Sequence, residues 1–280
     1  MKDLLFLFFS LLIINSCGES TGDLENFNVP LVIGAGGGAT GNAKMIRSVN
    51  DGANTYFYTL QNSRLSKYND ANNKVEYDLT YNAAGKLSSA TGFYNTPNAT
   101  TASVFNVNFV YDAGGILTGL SGTETNANVT YNISTTFGYS GGVIVQTSTV
   151  KTATSPLGTS TITNITNFSY SGVNLNKAAT QYTETLNATT VGTSLTTVKF
   201  LNFDTKNNYL KGLPKEFQYF TTYINANENY FSPNNYLKKE IDVNGGTPTV
   251  LHYTITYDSD DYPIQKVTGA SATSYIYQPL

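Results

Sequence analysis

Sulfur, indole and charge are all scarce in this chain. Its 280 residues include one cysteine, two methionines, one histidine and no tryptophan, and Asp, Glu, Lys and Arg together make up only 12%. A lone cysteine cannot close a disulfide within the chain. With one histidine beside it, it cannot supply the four ligands of a Cys/His zinc site either. Sixteen Lys and Arg against nineteen Asp and Glu leave a net charge of −3. That balance lacks the basic footprint of a nucleic-acid binder, and no run of Lys or Arg marks a membrane-surface patch. The most apolar run, Leu4 to Ile14, is shorter than the ~20 residues a bilayer-spanning helix needs.

Thr, Asn, Ser and Gly are abundant, together with 21 tyrosines and 15 phenylalanines, a composition that suits solvated β-strands better than helices. One heptapeptide, YNAAGKL (Tyr81–Leu87), recurs in variants. YTLQNSRL (Tyr58–Leu65) precedes it, and YDAGGIL (Tyr111–Leu117), YSGGV (Tyr139–Val143) and YSGVNL (Tyr170–Leu175) follow. FDTKNNYL (Phe203–Leu210), YFSPNNYL (Tyr230–Leu237) and YDSDDYPI (Tyr257–Ile264) complete the set. From Tyr81 onward the leading aromatics lie 27 to 33 residues apart, a period that signals a repeat architecture.

The turn chemistry explains the motif. Asn82, Asp112 or Ser171 can hydrogen-bond the backbone just ahead, and Gly85, Gly114 or Gly172 can take positive φ without a Cβ clash. The aromatic before the turn and the aliphatic after it then meet as cross-strand neighbours. Between the turns the runs alternate. Phe105, Val107, Phe109 and Tyr111 share one face, as do Leu251, Tyr253, Ile255 and Tyr257, and Phe217, Tyr219, Thr221 and Tyr223, with mainly Thr, Asn and Ser between them. Period two means a half-buried strand. Asn50-Asp51-Gly52 is a further hairpin signal. The expected fold is therefore all-β: an antiparallel up-and-down meander of roughly sixteen strands, two per unit, forming a large barrel or strongly curved sheet. No helix is expected beyond Ala43.

Three segments follow from this reading. Residues 1–16 read as a signal peptide, with Lys2 ahead of the apolar run. Residues 17–42 read as a flexible tether, and 43–280 as the β domain. Ile14, Ser16 and Cys17 resemble the lipobox of bacterial lipoproteins, which implies Cys17 as the lipid-attachment site and the membrane as a partner through that anchor. Gly18 resembles the residue found there in lipoproteins sorted to the outer membrane. The Y-D/N-x-x-G-x-L units resemble the YD repeats of RHS-type bacterial surface proteins. With the lipobox they resemble a group of uncharacterised bacterial lipoproteins with a porin-like β fold. The resemblance implies an outer-membrane lipoprotein facing the periplasm or the cell surface, and it carries no catalytic residues.

Chemistry-bearing motifs are sparse. VIGAGGGATG places Gly36, Gly38 and Gly41 in GxGxxG spacing, but no strand–helix–strand unit follows to receive a pyrophosphate. His252 sits on the polar face of a strand without a nucleophile partner. Asp258, Asp260 and Asp261 cluster at a repeat turn without the frame of a calcium loop, so no metal site is expected. The Asn-x-Ser/Thr matches at Asn128, Asn164 and Asn187 are chance products of a Thr/Asn-rich chain. Paired-carboxylate glycoside hydrolysis, with Glu76, Asp78, Glu184 and Glu216 as candidates, is the alternative to a non-enzymatic binding or structural module. The expected partner of such a module is a glycan or a surface protein, recognised through aromatic faces and neighbouring hydroxyls, with no cofactor. A membrane-spanning channel would need a lipid-facing apolar band, whereas here the strands carry Thr and Asn.

Overall fold

The computed structural model describes residues 44–95, 101–156, 158–224 and 231–280. The segments read as signal peptide and tether, with Cys17 and the glycine cluster, lie outside the described residues.

Strands dominate from Lys44 onward. The first five are short: β1 (Lys44–Asn50), β2 (Thr55–Gln61), β3 (Arg64–Asp70), β4 (Val75–Tyr81) and β5 (Leu87–Tyr94). They lengthen through β6 (Ser103–Tyr111), β7 (Leu117–Asn126), β8 (Val129–Ser140), β9 (Val143–Ser155), β10 (Gly158–Ser171), β11 (Asn174–Leu186) and β12 (Thr189–Phe203). After a helix, α1 (Lys215–Ile224), come β13 (Tyr236–Val243), β14 (Thr249–His252), β15 (Thr254–Tyr257), β16 (Pro263–Thr268) and β17 (Ser271–Pro279). Neighbours in the chain pair antiparallel, and β1 pairs both β2 and β17, so the meander returns on itself as a nearly closed barrel.

An odd number of strands cannot close an up-and-down antiparallel barrel. The conflict resolves at Tyr253. β14 pairs back onto β13 and β15 pairs forward onto β16, and the Tyr253 N–H donates to the Leu237 carbonyl at 2.8 Å between them. β14 and β15 are two halves of one run that changes partner midway, so the seventeen segments make sixteen runs, as the repeat count predicts.

The repeat turns form one rim. In YNAAGKL, YDAGGIL and YDSDDYPI the same three bonds recur. The N–H of Asn82, Asp112 or Asp258 donates to the carbonyl four residues on, at 2.9–3.0 Å. The carboxylate or amide oxygen of that residue accepts the returning N–H of Lys86, Ile116 or Tyr262 at 2.8–3.1 Å. The third bond places Gly85, Gly115 and Asp261 at positive φ, at 76°, 77° and 64°. The left-handed residue of the second copy is thus Gly115, not the expected Gly114. Gly172 takes positive φ as expected.

Four of the leading tyrosines sit at β-bulges, with the register shifting at Thr80/Tyr81, Val110/Tyr111, Gly138/Tyr139 and Ser169/Tyr170. The bulge re-aims the side chain so that its hydroxyl reaches the preceding unit. Tyr81 donates to the Leu65 carbonyl, Tyr111 to Leu87 and Tyr139 to Leu117, each at 2.7 Å. Tyr170 donates to Ile144 and Tyr277 to Pro263, both at 2.8 Å. In four successive units a tyrosine therefore stitches the hairpin to the one before it, and Tyr277 of β17 makes the same kind of bond to β16.

Two expectations fail together. FDTKNNYL and YFSPNNYL are not successive hairpin turns, because both lie in the single connection between β12 and β13. They bond to each other, Asp204 N–H to the Asn235 carbonyl at 3.0 Å and Asn208 N–H to the Pro233 carbonyl at 2.8 Å. Between them runs α1, where Phe217, Tyr219, Thr221 and Tyr223 read as an alternating strand. Pro214 at the helix start and Glu216 in its first turn are helix-entry signals. Leu213, Phe217 and Phe220, all buried, form the stripe that the β-prone Phe, Tyr and Thr concealed.

That helix lies inside the barrel. Phe220 meets Tyr77, Phe105 and Phe109 with ring centroids 5.6–5.9 Å apart, and Phe217 meets Tyr58 and Tyr68 at 6.5 and 6.1 Å. Tyr219 packs on Phe137 and Phe231. Barrels of sixteen strands generally enclose a water-filled lumen; here aromatic side chains and α1 fill much of it. The alternation puts Phe105, Val107 and Phe109 inward on β6, against Val104, Asn106, Asn108 and Val110 outward. On β8, Tyr131, Ile133 and Phe137 point inward and Thr130, Asn132, Ser134 and Thr136 outward. The apolar face is the inner one.

Candidate functional site

Register brings aromatic residues of successive strands to one level. Tyr58 stands opposite Tyr68, Tyr68 opposite Tyr77, Tyr77 opposite Gly92 and Gly92 opposite Phe105. Gly92 is required there because a Cβ would run into the Glu76 carbonyl. Its bare backbone lets the rings of Tyr77 and Phe105 meet across it at 5.3 Å. On the β6 side this row is covered by Phe220. On the β2–β3 side Phe217 covers it only in part, and a cavity of about 530 Å³ remains between α1 and the wall.

Four tyrosines of β2, β3 and β4 form one wall of this cavity. Tyr56 and Tyr68 lie parallel at 6.0 Å, with 1° between their planes, and Tyr68 contacts Tyr58 and Tyr77 at 5.0 and 5.1 Å. The lining continues past β1 with Tyr275 of β17, which Tyr209 meets at 4.9 Å, and with Tyr253, whose ring meets Tyr236 edge-on at 5.3 Å. The floor is α1 and its entry loop, with Leu213, Phe217, Gln218 and Thr221. The Gln218 amide N–H donates to the Leu213 carbonyl at 3.1 Å and so fixes that side chain. Thr268 and Thr273 also line the cavity.

Two charged groups line the space. Asp51 belongs to the β1–β2 turn, where its carboxylate accepts the N–H groups of Ala53 and Asn54 at 2.9 and 2.7 Å. Lys266 comes from β16. Its ammonium donates to the Tyr236 hydroxyl at 2.9 Å and lies 4.1 and 4.0 Å from the ring centroids of Tyr236 and Tyr253. Burial pushes the hydroxyl pKa of Tyr58 and Tyr77 well above the ordinary phenol value, so these rings stay neutral hydrogen-bonding groups at any physiological pH. The arrangement offers ring faces, hydroxyls, one amide and one cation, in a volume that suits a small ligand.

No protein-family model matches the chain, and no curated protein matches it. Among solved structures, a porin-like protein from Bacteroides vulgatus is similar over 85% of this chain and 100% of its own, at 12% identity and a TM-score of 0.44. A porin-like protein from Bacteroides uniformis is similar over 83% of this chain and 98% of its own, at 10% identity and a TM-score of 0.31. The barrel fold stands on the strand pairing described above.

The residues that the sequence singled out are scattered. Glu76 and Asp78 point outward from β4 and share Lys67, at 2.9 and 3.7 Å. Glu184 faces inward on β11 and accepts the Tyr182 hydroxyl at 2.8 Å, whereas Glu216 opens α1 at the repeat-turn rim. His252 is exposed at the end of β14. Asp258 and Asp260 both pair with Lys44, and Asp261 pairs with Lys206 at 2.6 Å. Burial works upward on the Asp258 carboxyl, but bonds from Lys44 and from the N–H groups of Tyr262 and Asp260 outweigh it and hold its pKa below the usual value. The cluster is a lysine-neutralised turn. Cys17 lies outside the described residues.

A second polar centre was not foreseen. Glu124 of β7 and Lys151 of β9, 3% and 7% exposed, pair at 2.7 Å inside the barrel. Tyr94 donates its hydroxyl to Glu124 at 2.9 Å, and Tyr223 of α1 donates to the same carboxylate. This network ties the far end of the helix to the wall. In the sequence, Glu124 and Lys151 looked like any other strand charges, and nothing in the chain marks them as partners.

Proposed function

We propose that this chain is a non-enzymatic binding module of a bacterial cell envelope, anchored through lipid on Cys17, whose internal cavity takes a carbohydrate. The supporting observation is the tyrosine-walled space beside α1. Sugars present apolar C–H faces that stack on aromatic rings, and hydroxyls that bond to Tyr, Thr and Gln groups such as those lining it. An open glycan platform is less well supported. The strand faces that look outward carry mainly Thr, Asn and Ser, with single apolar residues such as Val104, Leu195 and Ile276 scattered among them, while the aromatic faces turn inward around α1.

The largely polar outer face, where exposed apolar residues such as Val104, Leu195 and Ile276 stand among Thr, Asn and Ser, argues that the barrel stands in water, with the lipid as its hold on the membrane. A barrel seated in lipid needs the reverse, an apolar band outside. Hydrolysis by paired carboxylates needs two acids about 5–10 Å apart across the substrate. Among the described residues lining the cavity, Asp51 is the one acid, which favours binding over turnover. Isothermal titration of the purified chain against a panel of neutral and acidic disaccharides tests the reading. It predicts saturable binding to some of them, lost in Tyr68→Ala; absence of binding across the panel would refute it.

A further inference from the structure

A smaller cavity at the repeat-turn rim carries charge of both signs. Its volume is about 140 Å³, and it shares no lining residue with the tyrosine-walled cavity. Among the described residues lining it, Arg64 of β3 and Glu216 of α1 are the charged ones. Neither has an ion-pair partner among the described residues, and they do not pair with each other. Arg64 is exposed and Glu216 half-buried, so the pocket runs from the solvent side of the rim to the start of the inner helix. We infer that this pocket binds a small zwitterion of the amino-acid class, with Arg64 holding its carboxylate and Glu216 its ammonium. The inference stands apart from the carbohydrate reading of the larger cavity.

The surroundings fix where the guanidinium lies. It sits over the Tyr81 ring, 5.5 Å from the centroid, and Gly85 passes close beside it. A Cβ on Gly85 would stand 2.7 Å from Arg64 Nη2, so glycine serves twice there, for its φ of 76° and for clearance. The Tyr81 hydroxyl is spent on the Leu65 carbonyl at 2.7 Å. It feels both charges: burial raises its pKa to about 12, with Arg64 pulling down and Glu216 pushing up. Opposite charges that line one small space without meeting leave each to water or to a ligand. A zwitterion answers both at once through charge-assisted hydrogen bonds, the strong kind, and the planar guanidinium fork matches a carboxylate. Met45, Leu65 and Leu87, each 1% exposed, supply an apolar floor for a short side chain. Size sets the limit. A cavity of about 150 Å³ takes one benzene molecule, and alanine has the same number of non-hydrogen atoms, so glycine, alanine and serine fit.

Ligand-observed NMR titration of the full chain at pH 7 tests the assignment. The probes are glycine, alanine and serine, with propionate and alaninamide as analogues of alanine that each lack one charge. The wild type should bind alanine at least about tenfold more tightly than either analogue, the cost of losing a hydrogen bond to a charged group. Arg64→Gln should erase the preference for alanine over alaninamide, and Glu216→Gln the preference over propionate. Arg64→Lys, which keeps the charge without the fork, should fall between wild type and Arg64→Gln. Circular dichroism reports the folding of each variant, and the comparison of the three alanine-type probes on the wild type stands whether or not a variant folds. Equal affinity for alanine and propionate would reduce the pocket to an anion contact and overturn the inference. So would binding that survives both Arg64→Gln and Glu216→Gln, or no binding of glycine, alanine or serine.

Discussion

Tyr81, Tyr111, Tyr139, Tyr170 and Tyr277 each donate a hydroxyl to a carbonyl on the rim of the preceding hairpin or strand. Removing one such hydroxyl strands a half-buried acceptor, a loss of about 1–2 kcal/mol. Tyr111→Phe should therefore lower the urea midpoint measurably, whereas the outward Thr136→Ala should change stability by less than about 0.5 kcal/mol. The neighbouring glycines divide in the same way. Gly115 sits at φ 77°, a conformation that costs a β-branched residue about 1–2 kcal/mol or more. Gly115→Val should destabilise accordingly, while Gly114→Ala, which meets only the Asp112 carboxylate at 3.3 Å, should be close to neutral. The repeat made a left-handed residue legible in the turn. Its spacing also distinguishes the two glycines, because YDAGGIL laid on YNAAGKL puts Gly115, not Gly114, in the place of Gly85.

Glu124 gives the pH dependence. Burial alone would raise its pKa, but the charge of Lys151 and hydrogen bonds from Lys151, Tyr223 and Tyr94 outweigh burial and hold it below the ordinary 4.5. The folded chain thus binds this proton less readily than the unfolded chain does. The pair's contribution is complete above about pH 4.5 and is lost as pH falls through the depressed folded value. Denaturant melts from pH 7 downward should show that loss in the wild type. Glu124→Gln leaves Lys151 buried without its counter-charge, which should cost about 3–5 kcal/mol at pH 7 and remove this part of the acid slope.

At the level of elements, α1 decides what the barrel can do. Phe220, fully buried, touches rings from β4 and β6. Phe220→Ala should cost about 3–5 kcal/mol, the range for truncating a core phenylalanine, read as a lower Tm by circular dichroism. The strands and most turns were legible because a period of two beside Asn, Asp and Gly leaves little ambiguity. The helix was not. Phe217, Tyr219, Thr221 and Tyr223 satisfy strand alternation by composition, and the stripe of Leu213, Phe217 and Phe220 is too short to outweigh it. Pro214 and Glu216 were the signal available. Misreading that element also hid the cavity. Alternation marks Tyr58, Tyr68 and Tyr77 as inward, but which of them stay uncovered depends on where α1 rests.

At the scale of the whole molecule, an apolar inner face packed on a helix and a largely polar outer face are two consequences of one alternation pattern. The number of strand runs matches the repeat count, whereas the sequence left open a barrel or a curved sheet and closure is seen only in the pairing of β1 with β2 and β17. The tethering of the barrel through Cys17 remains a proposal. The claim on which the site depends is that α1 is seated inside a barrel that stands in water. Native-state amide hydrogen exchange of the chain in detergent-free buffer tests it most directly. Seated as described, the amides of Gln218 to Tyr223 exchange as slowly as those of β6 and β8, opening only with global unfolding. Exchange of those amides at the rate of an exposed loop, with the strands still protected, would contradict the plugged barrel.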